Sequence, residues 1–294
     1  MDKTAEEIMD TGNFKTGLIM EGGAMRGMFT AGIMDVFMEN DIHFDGAAGI
    51  SAGAIFGCNY KSHQIGRAIR YNKKYGRDPR YCSIWSLIKT GDLYGVDFCY
   101  HKIPEKLDVF DRVTFERNPM EFYVGATDVA TGRIAFHNCM DGREKDIEWM
   151  RASASMPFVS RPVKIDGRLY LDGGITDPVP YKHMEKLGYN RNVIILTQPK
   201  GYQKKEHNPR LIKSLLRKYP AVAEAMINRP KVYNRQMQEI LEREESGTSL
   251  VIRPPESLGI SRTENNPSEL EWVYQTGRVE AKKRLSEVKK FLQM

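Results

Sequence analysis

One serine of this sequence lies in a pattern that could supply a nucleophile. Ser51 is the centre of Gly49-Ile-Ser-Ala-Gly53, which matches G-x-S-x-G. That pattern is typical of a sharp turn between a strand and a helix, with the serine exposed at its apex. A chain of average composition contains the pattern by chance in about one case in ten. The strand-like residues before Ser51 and the helix-like residues after it favour the catalytic interpretation.

A serine hydroxyl is a poor nucleophile and needs a base beside it. The six histidines have no glycine or loop context that marks any of them as this base: His43, His63, His101, His137, His183 and His207. Asp172 differs, because it follows a short strand-like run and precedes Gly173 and Gly174, which permit close approach to its carboxylate. The alternative is that Asp172 and Gly173 form an ordinary turn.

A glycine-rich segment, Gly22-Gly-Ala-Met-Arg-Gly27, separates the first strand-like run from a helix. Backbone N–H groups in such a turn bind an anion, either a phosphate or the oxyanion of a tetrahedral intermediate. The segment lacks the middle glycine of G-x-G-x-x-G and the Lys-Ser/Thr of a P-loop. With Ser51 downstream, the sequence favours an oxyanion hole in this segment.

Strand and helix patterns alternate around these residues. Apolar runs over 16–23 and 44–50 predict buried strands, and each is followed by a helix-like pattern. Further elements are predicted as strands at 121–126, 132–137, 168–171 and 192–197 and as a helix at 144–155. Two consecutive strand–helix units indicate an α/β fold with a parallel sheet and helices on its faces.

The sequence becomes more helical beyond residue 200. The predicted elements are helices at about 208–227 and 231–245, a strand at 249–253 and a helix at 268–292. Asn228-Arg-Pro230 is expected to separate the first two helices. We therefore expect a domain carrying the candidate site over 14–200 and a mostly helical region over 201–294 packed on it, with 201–248 as a cap or insertion.

Charge and cysteine content indicate the environment. The 294 residues carry a net charge of +6, concentrated in two basic stretches, Lys61–Arg80 and Lys200–Arg235. These suit anionic partners, although a solvated helix face explains each stretch equally well. Four cysteines without metal-ligand spacing indicate reduced thiols, and the polar N-terminus does not resemble a secretory signal. No apolar run reaches the roughly 18 residues of a membrane span, so we expect a cytoplasmic protein that meets membranes only peripherally.

Tyrosines alternate with the cations of the first basic stretch, at Tyr60, Tyr71, Tyr75 and Tyr81. Aromatic rings beside cations suit the interface of a bilayer. Because Lys61–Arg80 follows the helix that begins after Ser51, we expect it to lie near the mouth of the site and to contact anionic membranes.

The three motifs, in this order, resemble those of the patatin-like phospholipases, which carry G-G-G-x-R/K-G, G-x-S-x-G and D-G-G or D-G-A. The matching segments are Gly22–Gly27, Gly49–Gly53 and Asp172–Gly174, within a resemblance that covers about residues 14–200. It implies a three-layer α/β/α fold with a mainly parallel central sheet. It also implies hydrolysis of lipid acyl esters without a metal or a cofactor.

In that family a serine and an aspartate act without a histidine. By resemblance, Ser51 would attack the ester carbonyl and Asp172 would accept the proton. The resemblance likewise implies that the backbone N–H groups of Gly22, Gly23 and Ala24 hold the oxyanion. Ala24 replaces the third glycine of the family's oxyanion loop, which keeps the N–H group but could narrow the acyl pocket. Arg26 matches the family's basic position.

Two other functions are compatible with the sequence. An acyltransferase would use the same acyl-enzyme but pass the acyl group to an alcohol. A non-catalytic module would use the basic stretches to bind lipid or nucleic acid. The presence of both Ser51 and Asp172 favours a hydrolase, whose partner is an acyl lipid or ester and not a nucleic acid. The natural substrate and the oligomeric state do not follow from the sequence.

Overall fold

Eight strands form one mixed sheet in a computed structural model that describes residues 14–206 and 208–294. The strands are β1 (Lys15–Met20), β2 (Gly46–Ile50), β3 (Glu121–Asp128), β4 (Ile134–Asn138), β5 (Val163–Ile165), β6 (Arg168–Asp172), β7 (Tyr189–Ile195) and β8 (Ser249–Ile252). Their order is β5-β6-β3-β2-β1-β7-β8, and β4 also pairs with β3. The five neighbouring strands β3, β2, β1, β7 and β8 are parallel. The pairs that involve β4, β5 and β6 are antiparallel. The predicted parallel sheet is thus confirmed at its centre.

Helices cover both faces of this sheet. They are α1 (Gly27–Glu39), α2 (Ala52–Lys61), α3 (Arg67–Tyr75), α4 (Ile84–Thr90), α5 (Arg112–Arg117), α6 (Glu144–Ser153), α7 (Tyr181–Lys186), α8 (Pro209–Leu215), α9 (Pro220–Glu245) and α10 (Pro267–Leu292), with a π-helix at Phe98–Leu107. Alternate strand residues face opposite layers. Leu18 and Met20 pack with α1, α2 and α10, whereas Ile19 packs with α7 and α9. The three-layer α/β/α prediction is confirmed.

The C-terminal helix packs tightly along α1. A Cβ atom at Gly32 would meet the backbone of Tyr274, and one at Gly277 would meet the backbone of Phe29, so only glycine permits this approach. The hydroxyl of Tyr274 also donates to Oδ2 of Asp35 at 2.6 Å. Since β8 pairs with β7 as well, the chain beyond residue 200 extends the same sheet and the same core.

The predicted break at Pro230 is wrong, because α9 is one helix of 26 residues that contains this proline. Proline lacks an N–H group, so the carbonyl of Met226 loses its helical partner. Val222, Met226 and Tyr233 are buried on either side of Pro230. Their burial offsets the lost hydrogen bond, and the actual break lies earlier, between α8 and α9.

The expectation that the tyrosines of Lys61–Arg80 lie at a membrane interface is also wrong, whereas contact of its cations with anionic membranes stays a prediction. Its four neighbouring tyrosines are buried: Tyr60, Tyr71, Tyr75 and Tyr81. Several of its cations bind within the protein, since the Arg67 guanidinium donates to the Asp108 carbonyl and Arg70 pairs with the Asp108 carboxylate. Tyrosine is amphipathic, and here its ring enters the core, which the sequence pattern alone does not reveal.

None of the helices within the described residues is both long enough and apolar enough to cross a bilayer.

Candidate active site

Ser51 occupies a tight turn between β2 and α2. Its backbone has φ +55° and ψ −120°, a conformation that costs energy in any residue except glycine. A Cβ atom at Gly49 would meet the backbone of Gly53, and one at Gly53 would meet the carbonyl group of Met20. The two glycines of the motif therefore allow α2 to start directly against the sheet.

The strained turn is held by Ser153, a residue that the sequence analysis missed. The backbone N–H of Ser51 donates to Oγ of Ser153 at 2.9 Å, and this hydroxyl donates to the carbonyl of Gly125 at 2.6 Å. Ser153 is fully buried at the end of α6. The only sequence signal for it is its place in the segment that precedes Asp172.

Sheet register brings Ser51 and Asp172 together. β3 lies between β2 and β6, with Ile50 opposite Gly125 and Asp172 opposite Ala126. Ser51 therefore follows β2 at the same height of the sheet at which β6 ends in Asp172. The pairing of β6 with β3 was not foreseen, although it decides this proximity.

Asp172 is almost completely buried, at 1% exposure. Its Oδ1 accepts the N–H of Gly174 at 2.7 Å, and its own N–H donates to the carbonyl of Ser155 at 2.8 Å. Its Oδ2 has no hydrogen-bond partner among the described residues. Burial raises the pKa of Asp172 above 3.8, and the nearby Ser51 hydroxyl and Arg229 guanidinium oppose part of this rise. A raised pKa makes the carboxylate a better proton acceptor.

The glycine-rich loop lies against the serine. A Cβ atom at Gly22 would be only 3.0 Å from the Cβ of Ser51, so the loop backbone approaches Ser51 directly. The N–H groups of Gly22, Gly23 and Ala24 donate no hydrogen bond to the described part of the chain. Ala24 has φ +50°, a left-handed conformation that a glycine would adopt more easily.

Gly27, Ala52 and Arg26 also lie at or beside the glycine-rich loop. Gly27 begins α1, and a Cβ there would be 2.9 Å from the Cβ of Ala52. Ala52 directly follows Ser51 and lines the same cavity, so its N–H is an additional candidate donor that the sequence analysis did not name. Nε of Arg26 is buried without a hydrogen-bond partner within the described residues.

Gly173 and Gly174 shape the turn after Asp172. A Cβ at Gly173 would meet the carbonyl group of Gly125, so this glycine lets β6 approach β3 closely. The Gly174 carbonyl accepts a 2.6 Å hydrogen bond from Nε of Arg229, a residue of α9. A side chain of the C-terminal region therefore fixes the loop that carries the candidate base.

A cavity of about 590 Å³ opens at Ser51. This volume lies in the range of small-molecule sites, about 300–1,000 Å³. Ala24, Ser51 and Ala52 form one part of its wall, and much of the rest is apolar or aromatic: Phe56, Tyr71, Tyr100, Ile103, Phe110, Ile147 and Met150. Arg229 and Arg262 of the C-terminal region also line it.

The described histidines make no hydrogen bond to Ser51. The ring of His183 stacks on Phe136 at 3.7 Å, and burial lowers its pKa to about 4, which suits a packing role. His137 binds Oδ1 of Asp146 at 2.7 Å and stacks on Trp149. His207 lies outside the described residues.

Cys139 joins His137 and Asp146 in a group whose potential ligand atoms lie within 4.8 Å of one another. The other carboxylate oxygen of Asp146 accepts the N–H groups of residues 141 and 142. Burial also holds the pKa of the Cys139 thiol well above its usual value, which disfavours the thiolate that a metal binds. These contacts account for the group as part of the α6 packing.

Comparison with known proteins identifies two segments. A family model described as patatin-like phospholipase matches residues 18–184, and a domain of unknown function (DUF6363) matches residues 219–293. YjjU of Escherichia coli is 29% identical over 191 residues, which cover 63% of this chain and 52% of YjjU. Lysophospholipase NTE1 of Pyricularia oryzae is 27% identical over 184 residues, which cover 58% of this chain and 11% of NTE1.

The chain thus spans about half of YjjU and about a tenth of NTE1. Among solved structures, VipD of Legionella pneumophila has a TM-score of 0.48 at 10% identity, over 94% of this chain and 67% of VipD.

Proposed function

Because the chain belongs to the patatin-like phospholipase family, we propose that it hydrolyses acyl esters of lipids with Ser51 as nucleophile and Asp172 as base. The observation that carries the proposal is the placement of Ser51, in a strained turn at the wall of an apolar cavity, beside the buried Asp172. The fungal relatives named lysophospholipase support a lipid substrate.

The first half of the reaction forms an acyl-enzyme. Oγ of Ser51 attacks the ester carbonyl carbon while the carboxylate of Asp172 takes the hydroxyl proton. The bond from the acyl carbon to the leaving oxygen then breaks, and Asp172 gives its proton to that oxygen. In the second half Asp172 takes a proton from water, the resulting hydroxide attacks the acyl carbon, and the proton returns to Oγ as the fatty acid leaves.

Negative charge on the carbonyl oxygen is stabilised by backbone donors in both steps. The N–H groups of Gly22, Gly23 and Ala24 are free for this role within the described structure, and that of Ala52 adjoins them. Preorganised donors of this kind contribute about 10²–10³ in kcat each. The N–H of Ser51 itself is excluded, because it binds Ser153.

Hydrolysis of a soluble short-chain ester, and of a lysophospholipid with and without glycerol, tests this function. Free fatty acid should remain the main product in glycerol, and Ser51→Ala should abolish its release. Acyl glycerol as the main product would instead identify an acyltransferase.

The protein is also proposed to bind membranes peripherally, through α4. Three of its four large apolar side chains are mostly exposed, with Ile84 at 70%, Trp85 at 78% and Ile88 at 71%. The residues after α4 bind the loop at the cavity wall, since the N–H of Leu93 donates to the Val159 carbonyl at 2.8 Å.

Other residues at the cavity wall share this character. Phe158, Leu211 and Leu215 line the cavity and are 48–57% exposed. Lys89 and Arg161 supply exposed cations beside α4 and the wall. An exposed tryptophan with neighbouring cations fits the interface of an anionic bilayer, at the point where a lipid would enter the cavity.

A further inference from the structure

The C-terminal region places unpaired positive charge at the cavity. Arg229 belongs to α9 and Arg262 to the segment before α10, and both line the cavity with Ser51. Neither forms an ion pair with a described carboxylate. The ion pairs of the surrounding helices lie elsewhere, such as Lys213 with Glu224 and Lys231 with Glu206.

Besides Arg262, two more cations lie within electrostatic range of Arg229, namely Arg26 and Lys204. Burial lowers the pKa of Arg229 most, and the charges of Arg262 and Arg26 lower it further. After burial, the charges of Arg229, Arg26 and Arg262 likewise lower the pKa of Lys204. Burial and these neighbours together bring the pKa of Lys204 to about 7.

The carboxylates that oppose them are Glu21 and Asp172. Two partly buried arginines, the exposed Arg262 and a partly protonated Lys204 therefore face two carboxylates. Glu21 is further engaged, because it accepts the N–H and the hydroxyl of Thr197. Buried charges are normally paired, so an excess of this kind is stabilised by an anion.

Position limits what that anion can be. The Nη2 atom of Arg229 lies 3.6 Å from the site of a Cβ on Gly174, next to the candidate base, so the anion would belong to a molecule already at the active site. Guanidinium groups bind phosphate by two parallel hydrogen bonds. A fatty-acid carboxylate is formed only after hydrolysis, whereas a phosphate can be part of the substrate itself.

Given the proposed lipid hydrolysis, we propose that Arg229 and Arg262 bind the phosphate group of a lipid substrate whose ester lies at Ser51 and whose acyl chain fills the apolar end of the cavity. The role of the C-terminal domain is thereby to add head-group recognition to the patatin-like domain.

The experiment measures lipid binding in the Ser51→Ala background, so that turnover does not interfere. The two probes are 1-oleoyl-lysophosphatidic acid and 1-oleoylglycerol, each below its micelle concentration, since they share the acyl chain and differ in the phosphate. We expect the phosphate lipid to bind at least about tenfold more tightly. Arg262→Gln and Arg229→Gln should each remove most of this preference, whereas Lys282→Gln, an exposed cation on α10, should leave it unchanged.

Equal affinity for the two lipids, or an equal loss of both in Arg262→Gln, would overturn the assignment. Arg262 is exposed, so this variant should keep the melting temperature of the parent and report on binding alone. Inorganic phosphate that binds as tightly as the phosphate lipid would show a site for free phosphate and overturn the head-group assignment. If the parent protein, with Ser51 intact, hydrolyses neither lipid although the binding preference is present, the proposed hydrolysis of these lipids fails and the phosphate site is still supported.

Discussion

The hydroxyl of Ser153 accepts the backbone N–H of Ser51 at 2.9 Å. It fixes a strained backbone, since Ser51 has φ +55° and ψ −120°. Ser153→Ala should therefore lower kcat by at least about tenfold and destabilise the fold by about 1–3 kcal/mol, because a buried donor and a buried acceptor lose their partner. Ester kinetics and thermal unfolding measure the two effects.

Ser155→Ala is the matched control for Ser153. The Ser155 hydroxyl donates only to the Arg151 carbonyl, while its own carbonyl, which holds the N–H of Asp172, is retained in the variant. Equal effects of the two substitutions on kcat would remove the special role of Ser153.

The pKa of Asp172 should determine the pH below which the enzyme loses activity, which is the acid limb of its pH–rate profile. The proposed reaction requires the ionised carboxylate, so kcat/KM should fall as the pH is lowered through the pKa of Asp172, which burial raises above its usual value. The charge of Arg229 lowers this pKa, so Arg229→Gln should move the limb to higher pH, and Arg229→Lys should move it less. A pH–rate profile of the three proteins decides the matter, and a shift to lower pH in Arg229→Gln would contradict the account.

Removal of the base should separate activity from stability. Asp172→Asn should lower kcat by about 10³ or more. The folded-state pKa of Asp172 is raised, so its carboxylate opposes folding above that pKa, and this penalty disappears below the unfolded-state pKa. At pH 8 the melting temperature of Asp172→Asn should consequently equal or exceed that of the parent.

His183→Ala is the control for a missed histidine. It should change kcat by less than about tenfold, while its lost stacking on Phe136 lowers the melting temperature. A His183 variant as inactive as Asp172→Asn would show that a triad exists.

The exposed tryptophan of α4 should anchor the protein to membranes. Trp85→Ser should reduce co-sedimentation with anionic vesicles and spare turnover of a soluble short-chain ester, because the side chain is 78% exposed. Trp272→Ser on α10, where the tryptophan is 46% exposed, is the control and should bind like the parent. Identical binding by both variants, or none by the parent, would refute an α4 anchor.

The sequence predicted the motifs of this candidate site better than the distant residues that contact them. G-x-S-x-G and Asp-Gly-Gly are local patterns, so the sequence located both Ser51 and Asp172 correctly at strand ends. Ser153 and Arg229 act across 102 and 55 residues of sequence, respectively, and no local pattern marks such contacts. The burial of Tyr71 and the continuity of α9 through Pro230 likewise depend on packing between distant segments.

Reaction with a fluorophosphonate tests the central proposal most directly, because it requires an activated serine and no knowledge of the natural substrate. The account predicts one adduct per chain, located at Ser51 by peptide mass spectrometry, that is lost in Ser51→Ala and strongly slowed in Asp172→Asn. Labelling of another serine, or equal labelling of the parent and Ser51→Ala, would contradict it.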